Sequence, residues 1–337
     1  MSEGLQVVFG TGPVGCATAG HLLGRGLRVR MVNRSGKRPA FFARRSPEQE
    51  ARLELAACDA MDESAVRAAA AGASHLYNCA HAPYHQWPAI LPVLYSNMEK
   101  AALEQNAVFA AAQNLYMYAR GLTVINEQAR VDPPSRKGRI IQSLHESLEA
   151  AGARDGLRWT AVRASDFYGP GATEQSLFGT LRFLDPLFAG RSPMLIGDID
   201  QPHTFTFVQD YGGALATAAL SPQALGRAWI VPNDRTLTTR EVAGLFLSAA
   251  RLDTGRTPRI RAVPRAGIAL AGLFNPVIHE VLEMLYQKEE PYVVDGSRFR
   301  DAFGLKPTPL EEGVRRTIEW YNATKADAAK AGGKLGS

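Results

Sequence analysis

The sequence is poor in cysteine: three in 337 residues, Cys16, Cys58 and Cys79, an odd number without metal-ligand spacing. That excludes a disulfide framework and argues against a zinc site, so the three read as small core residues of a reducing compartment. The seven histidines are scattered and include no His-Glu-x-x-His pair, so no metal is expected. No apolar run reaches the ~18 residues a spanning helix needs. No charged-then-apolar signal segment stands at the start either, and the expectation is a soluble, cytoplasmic protein with no membrane partner. The net charge of +5 comes from lysines and arginines spread along the chain without interleaved aromatics, which argues against a nucleic-acid partner. Internal repeats and linkers are also absent.

What the chain does have is concentrated at its beginning. Leu5-Gln6-Val7-Val8-Phe9 has the apolar character of a buried strand and runs into Gly10-Thr11-Gly12-Pro13-Val14-Gly15. In this G-x-G-x-x-G pattern the first glycine permits a tight turn, the second lets backbone amides approach a pyrophosphate, and the third lets the next helix pack closely. The periodicity predicts that helix from about Pro13 to Arg25, with Gly26 at its C-terminal end and Leu27 to Val32 as a second strand. Strand, glycine turn, helix and strand in this order point to a dinucleotide, whose phosphates meet the positive helix terminus.

The end of the second strand bears on which dinucleotide. An acid about 20 residues past the glycines serves the free ribose hydroxyl of NAD, whereas an Arg accommodates the 2′-phosphate of NADP. Here Asn33-Arg34 takes that place, and Lys37, Arg38, Arg44 and Arg45 follow before the first acid, Glu48. The pattern favours NADP over NAD, with Asn33, Arg34 and Lys37 as the contacts.

Strand and helix patterns keep alternating. Leu53–Ala57, Ser74–Cys79, Ala107–Ala112 and Arg158–Arg163 read as strands; helices are expected around Met98–Gln105 and over Arg136–Ala151. Such alternation predicts an α/β fold, a doubly wound parallel sheet (Rossmann) with a smaller C-terminal substrate-binding lobe. The expected division is 1–170 for the dinucleotide domain with later segments returning to the sheet, 171–321 mainly for the lobe, and 322–337 for a flexible tail.

Several motifs in family order now converge. Besides the glycine turn, they are Arg163-Ala164-Ser165-Asp166-Phe167-Tyr168-Gly169-Pro170-Gly171, Phe205-Thr206-Phe207-Val208-Gln209-Asp210, and Phe303-Gly304-Leu305-Lys306-Pro307 through Leu310 to Trp320-Tyr321. From Leu5 to about Tyr321 the chain resembles an extended short-chain dehydrogenase/reductase of the NAD-dependent epimerase/dehydratase family. The resemblance implies that Asp59 meets the adenine and that Cys79 and Ala80 line the cofactor. For Asp59 a turn or helix-cap role is an equal alternative, and for Cys79 a core role is preferred. It also implies a homodimer built on the helices near Leu91–Gln105 and Arg136–Ala151. Leu94, Met98, Ala101 and Ala102 would form the seam, unless that stripe packs on the sheet.

The departures carry as much information. The family's Tyr-x-x-x-Lys dyad, in which the phenol serves as acid, falls on Lys137 and Ile141, so the dyad is missing. Candidate substitutes are Lys137 as proton donor or polariser, also placed to touch the cofactor, Asn114 as an oxyanion donor, and a phenol from Tyr116 or Tyr118. Each has a plainer reading: a solvated lysine, a strand-end cap, an aromatic core. His145, on the face of Lys137, reads as surface or interface. His203 replaces the arginine with which relatives acting on nucleotide-sugars bind a diphosphate. With Pro83, Tyr84, Trp87, Phe167, Tyr168, Phe178, Phe183 and Phe188 as a candidate lining, a weakly polar or aromatic substrate is expected. The favoured activity is an NADP-dependent reductase acting on a C=O, C=N or activated C=C bond. The alternatives are an NAD(P)-dependent epimerase or isomerase, or a non-catalytic NADP(H)-binding regulator.

Overall fold

The computed structural model describes residues 4–43, 45–250, 259–274 and 276–333; Arg44, one of the cations noted above, lies outside them. The chain divides into two compact units, the first made of Met1–Ser165, Gln209–Pro232 and Asp295–Lys306, the second of Asp166–Val208, Asn233–Val294 and Pro307–Ser337. The opening stretch of the first unit ends at Ser165, and two later segments complete that unit.

The first unit is built on β1 (Leu5–Phe9), β2 (Val29–Asn33), β3 (Leu53–Ala57), β4 (Ala73–Asn78), β5 (Val108–Asn114), β6 (Trp159–Ala164) and a seventh strand, Arg227–Ile230. All pair in parallel in the order Arg227–Ile230, β6, β5, β4, β1, β2, β3. The order reverses between β1 and β4, which is where a doubly wound sheet opens a crevice at the carboxyl ends of its strands. All five residues of β1 are buried, as a central parallel strand requires. The seventh strand was not foreseen, because Arg227-Ala228-Trp229-Ile230 is too short to show a period.

Helices α1 (Pro13–Gly24), α2 (Pro47–Glu50), α3 (Glu63–Ala70), α4 (Trp87–Glu104) and α5 (Arg136–Asp155) connect these strands. Gly26 follows α1 at φ +76°, the left-handed conformation that closes a helix and that glycine adopts without strain. Asp62 caps α3 by accepting from the amides of Ser64 and Ala65, and Ser135 caps α5 by accepting from Gly138. Tyr211 donates its phenol to the carbonyls of Gln113 and Val162, fixing its helix beneath β5 and β6. Val8, Leu22, Met31, Tyr77, Val162 and Trp229 belong to one buried cluster, each large side chain contributing about 1.5–3 kcal/mol by leaving water.

Two expectations are corrected. Leu94, Met98, Ala101 and Ala102 are at most 4% exposed within a single chain, so this stripe packs inside the unit and cannot be a dimer seam. The C-terminal helix, Leu310–Gly333, continues well past Asn322, where a tail was expected to begin.

In the second unit Tyr168, Phe178, Phe183, Phe205, Phe207 and Phe246 make an aromatic core with mostly edge-on contacts. Tyr168 and Phe178 are each 1% exposed. They are core residues rather than the substrate lining proposed for them. Phe183 shares that core, and Phe188 stacks on Tyr321. The half-buried Phe167 lies in a two-residue strand paired with Thr206–Phe207.

Candidate cofactor and catalytic site

The turn from β1 to α1 has the geometry a pyrophosphate needs. Gly10 sits at φ +89°, and a Cβ on it would come within 2.4 Å of the Ala80 backbone. A Cβ on Gly15 would lie 1.9 Å from the Gly10 carbonyl oxygen, so α1 reaches the strand only because that Cβ is missing. Gly12 differs. Nothing stands within 4 Å of where its Cβ would be, and as the N-cap of α1 it has no side-chain oxygen for the first-turn amides. Pro13 follows at the first turn, pre-set for the helix, and the Val14 carbonyl accepts from Thr18 Oγ1. Close contact at Gly10 and Gly15 with open space at Gly12 is a cradle that fits a dinucleotide phosphate.

The loop after β2 is organised by Asn33. Its amide nitrogen donates to Thr11 Oγ1 and to the Lys37 carbonyl, while its oxygen accepts from Ser35. Asn33 therefore ties the glycine turn to this loop. Arg34 and Lys37 are exposed there. Arg38 instead pairs with Glu50, and the guanidiniums of Arg38 and Arg45 both lie over the Phe42 ring. The two expected contacts, Arg34 and Lys37, are thus the cations left facing solvent.

Asp59 is exposed after β3 and accepts from the Met61 amide, the turn role given above as its alternative. Cys79 and Ala80 follow β4 beside the glycine turn. The Cys79 amide donates to Phe9 O, and Ala80 packs against Gly10. Burial pushes the Cys79 thiol up to about 12, so it lines this region as an inert group.

At the carboxyl ends of β4 and β5 the candidate acids separate into two sets. The chain leaves the strand at Asn114, whose side-chain oxygen accepts from the Tyr116 amide. The strand's alternation of faces therefore ends before the tyrosines. Tyr118 is 2% exposed, accepts from Arg163 Nη1 at 2.6 Å and has that guanidinium over its ring. Its phenol belongs to the core.

Tyr116 goes the other way. Its hydroxyl is 2.7 Å from that of Tyr84, and its ring stacks on Trp87 with an interplanar angle of 15°. Trp87 is buried and donates its indole N–H to Ala82 O, so it supports Tyr116 from behind rather than lining an open surface. The Lys137 ammonium stands 5.1 Å from the centre of the Tyr84 ring, and the whole residue is 1% exposed. Gly138 explains this closeness: a Cβ there would meet the Tyr116 carbonyl oxygen at 2.3 Å, so only glycine lets α5 start so near the Tyr116 turn. Burial raises the Tyr84 phenol above its ordinary value and keeps it protonated, against the Tyr116 hydrogen bond, which lowers it. Ile141 is buried one turn on. His145 packs edge-on against Trp159.

The second unit has a charged cluster that the sequence reading only half anticipated. His203 is 2% exposed; its Nε2 lies 2.8 Å from Asp166 Oδ2 and 3.3 Å from Lys288 Nζ, and Lys288 also contacts Asp166. Burial lowers His203 to about 4, against the hydrogen bond with the Gln287 carbonyl, which raises it, and burial lowers Lys288 to about 7. Lys288 is 85 residues from His203, and no local pattern in the sequence marked it.

Among the described residues no cluster of metal-ligating side chains occurs, and no helix is long and apolar enough to cross a membrane. Residues 7–231 match the NAD dependent epimerase/dehydratase family. The chain is 26% identical over 207 residues to 3beta-hydroxysteroid-dehydrogenase/decarboxylase isoform 2 of Arabidopsis thaliana, a match covering 52% of this chain and 34% of that protein. The chain thus spans about a third of that relative's length. Among solved structures it is similar to dTDP-glucose 4,6-dehydratase of Streptomyces venezuelae with NAD bound (TM-score 0.73, 17% identity, 96% and 98% of the two chains covered). It is also similar to UDP-N-acetylglucosamine 4-epimerase of Methanobrevibacter ruminantium (TM-score 0.76, 17% identity, 96% and 99% covered).

Proposed function

The chain belongs to the NAD dependent epimerase/dehydratase family, and we propose that it is an NAD(P)-dependent enzyme of the epimerase or dehydratase kind, acting at a hydroxyl-bearing carbon of a small, weakly polar substrate. The preference for a net reductase drawn from the sequence gives way, because the family and the solved neighbours favour the alternative named beside it.

The observation that carries this reading is the Lys137–Tyr84–Tyr116 cluster. Lys137 is buried in the first turn of α5 with its ammonium over the Tyr84 ring, which puts a cation beside the two phenols. The usual site needs a phenol beside a lysine; this chain offers both, from different positions. In the proposed mechanism Tyr116 acts as the phenolate: its Oη takes the proton of the substrate hydroxyl and later returns it, Tyr84 stays protonated and donates to that oxygen, and the Lys137 ammonium stabilises the phenolate before the proton arrives and after it leaves. Asn114 holds the Tyr116 turn through the bond to its amide. The bound dinucleotide supplies hydride acceptance and return.

Gly10, Gly12, Pro13, Val14 and Gly15 would hold its pyrophosphate, with Asn33 fixing the loop and Cys79 and Ala80 alongside. The exposed Arg34 and Lys37 support NADP; NAD, present in a solved neighbour, is the second reading. A homodimer is proposed as well, on a surface other than the buried α4 stripe, and light scattering at micromolar protein decides it.

The decisive test incubates the purified protein with a panel of hydroxylated small molecules, without added nucleotide, and resolves isomers and dehydration products by chromatography. Turnover without added dinucleotide is expected. Turnover that requires NADPH and consumes it mole for mole would restore the reductase.

A further inference from the structure

Burial leaves one part of the second unit unexplained. Among the described residues the most exposed large apolar side chains are Leu181, Met194, Leu270, Leu273 and Phe274, at 57, 60, 63, 75 and 85%; no other exceeds 42%. A single exposed leucine is ordinary, but these five fall on elements that touch or follow one another directly. The π-helical turn Thr180–Leu184 packs against strand Met194–Ile196, which pairs with Arg261–Val263. Helix Arg265–Gly272 follows directly and ends at Leu273 and Phe274.

The same elements are basic. Arg182, Arg191, Arg259 and Arg261 are exposed; Arg191 acts on the Asp185 carboxylate, and the other three have no carboxylate partner among the described residues. In the pairing of the two short strands Arg261 stands opposite Met194. Arg265 is paired, with Glu289, and between Arg259 and Phe274 there is no acidic residue. Exposed leucine and phenylalanine beside unpaired guanidiniums form the composition of a surface that lies in a bilayer interface, its apolar tips among the acyl chains and its cations on lipid phosphates.

We propose that this face of the second unit docks on an anionic phospholipid membrane. The contact is peripheral, which agrees with the absence of a spanning helix among the described residues, and it narrows the sequence-based expectation of no membrane partner. Charge complementarity selects this occupant over a second copy of the chain, which would set the same unpaired arginines against each other.

The test is sedimentation of the full chain with phosphatidylcholine vesicles, with and without phosphatidylglycerol. Binding is expected with the anionic vesicles only, weakening with added salt, and the double substitution Leu273→Ser/Phe274→Ser should reduce the partition coefficient about tenfold or more. Circular dichroism checks that this variant folds; if it does not, Arg259→Glu/Arg261→Glu carries the test, with the same loss expected. Failure of the wild-type chain to bind anionic vesicles overturns the proposal. So does binding that folded variants leave unchanged, or self-association of the wild type that Leu273→Ser/Phe274→Ser abolishes while no vesicle binding is seen.

Discussion

Two glycines of one turn should respond in opposite ways to the same added methyl group. At Gly12 the backbone is already in a region any residue adopts, φ −71° and ψ −175°, and no atom lies within 4 Å of the new Cβ. Gly12→Ala should therefore leave stability within about 0.5 kcal/mol of the parent. The open space at Gly12 is, however, where the cradle must admit a pyrophosphate, and a methyl group there should weaken dinucleotide binding by about tenfold or more. At Gly15 the added Cβ meets the Gly10 carbonyl oxygen at 1.9 Å and the Cys79 Cβ at 3.3 Å. Removing such an overlap requires α1 to shift, at roughly 1–3 kcal/mol, against about 1 kcal/mol gained from the helix preference of alanine over glycine. The net expectation is a loss of up to ~2 kcal/mol, with weaker binding as a secondary effect. Urea unfolding measures the first quantity and titration calorimetry with NADPH and NADH the second. A Gly12→Ala protein that binds as the parent does, or that unfolds as early as Gly15→Ala, would refute the assignment of open space at Gly12 to the ligand.

Lys137→Met should lower turnover by about 10²–10⁴ while the urea midpoint holds or rises, since a buried cation is exchanged for an apolar chain of similar length; unchanged turnover, once a substrate is known, removes Lys137 from the mechanism. Arg34→Ala should weaken NADPH about tenfold or more and NADH little in a fluorescence titration, and equal affinities of the parent for the two nucleotides would count against NADP. His75 is lowered to about 4 by burial beside Ser74 and Gln6. Its unfolded form, near 6.5, binds the proton first as pH falls, so the stabilising term present above pH 6.5 should be lost progressively toward pH 4 by roughly 2–3 kcal/mol. His75→Gln should flatten urea midpoints measured across that window, and a parent curve no steeper than that of the variant would exclude this source.

The fold was legible where local pattern and tertiary role coincide. β1, the glycine turn and α1 follow from an apolar run, glycine spacing and Gly26, because a central parallel strand is apolar on both faces and a close approach admits only glycine. The seventh strand was not legible. Its pairing partner, β6, is more than sixty residues away, and four residues carry no period. Lys137 and Ile141 were readable as departures from the family pattern, but the surroundings of Lys137 were not. Tyr84 entered only as a lining residue, and its meeting with Tyr116 depends on β5 ending at Asn114 and on Gly138 letting α5 approach. The same strand end sets the two tyrosines apart, Tyr118 against Arg163 and Tyr116 beside Tyr84. The bulky aromatics Tyr168, Phe178 and Phe183 were credited to a substrate surface because a sequence lists large rings without saying which face they cover.

The cluster around His203 bears on the substrate in a way that neither sequence nor a single contact does. Replacing an arginine by histidine removes a permanent cation from the second unit, and burial keeps that histidine neutral near pH 7. Lys288 brings a positive charge back to the same place, from a helix far along the chain, yet it arrives together with Asp166, which both His203 and Lys288 touch. One carboxylate and one ammonium cancel, and the site is close to neutral. A nucleoside diphosphate carries two or more negative charges, and phosphate recognition draws on cations or donors left free to meet it. A neutral, sealed cluster offers no such cation at this position. The surroundings of His203 strengthen the inference: its ring stacks on Tyr292 and tilts against Phe205, with the Gln287 carbonyl on Nδ1. Every polar atom of the imidazole is thereby engaged inside the unit. On this ground we propose a weakly polar substrate rather than a nucleotide-sugar, a choice tested by offering the protein both classes; the likeness to the solved nucleotide-sugar enzymes is one of fold.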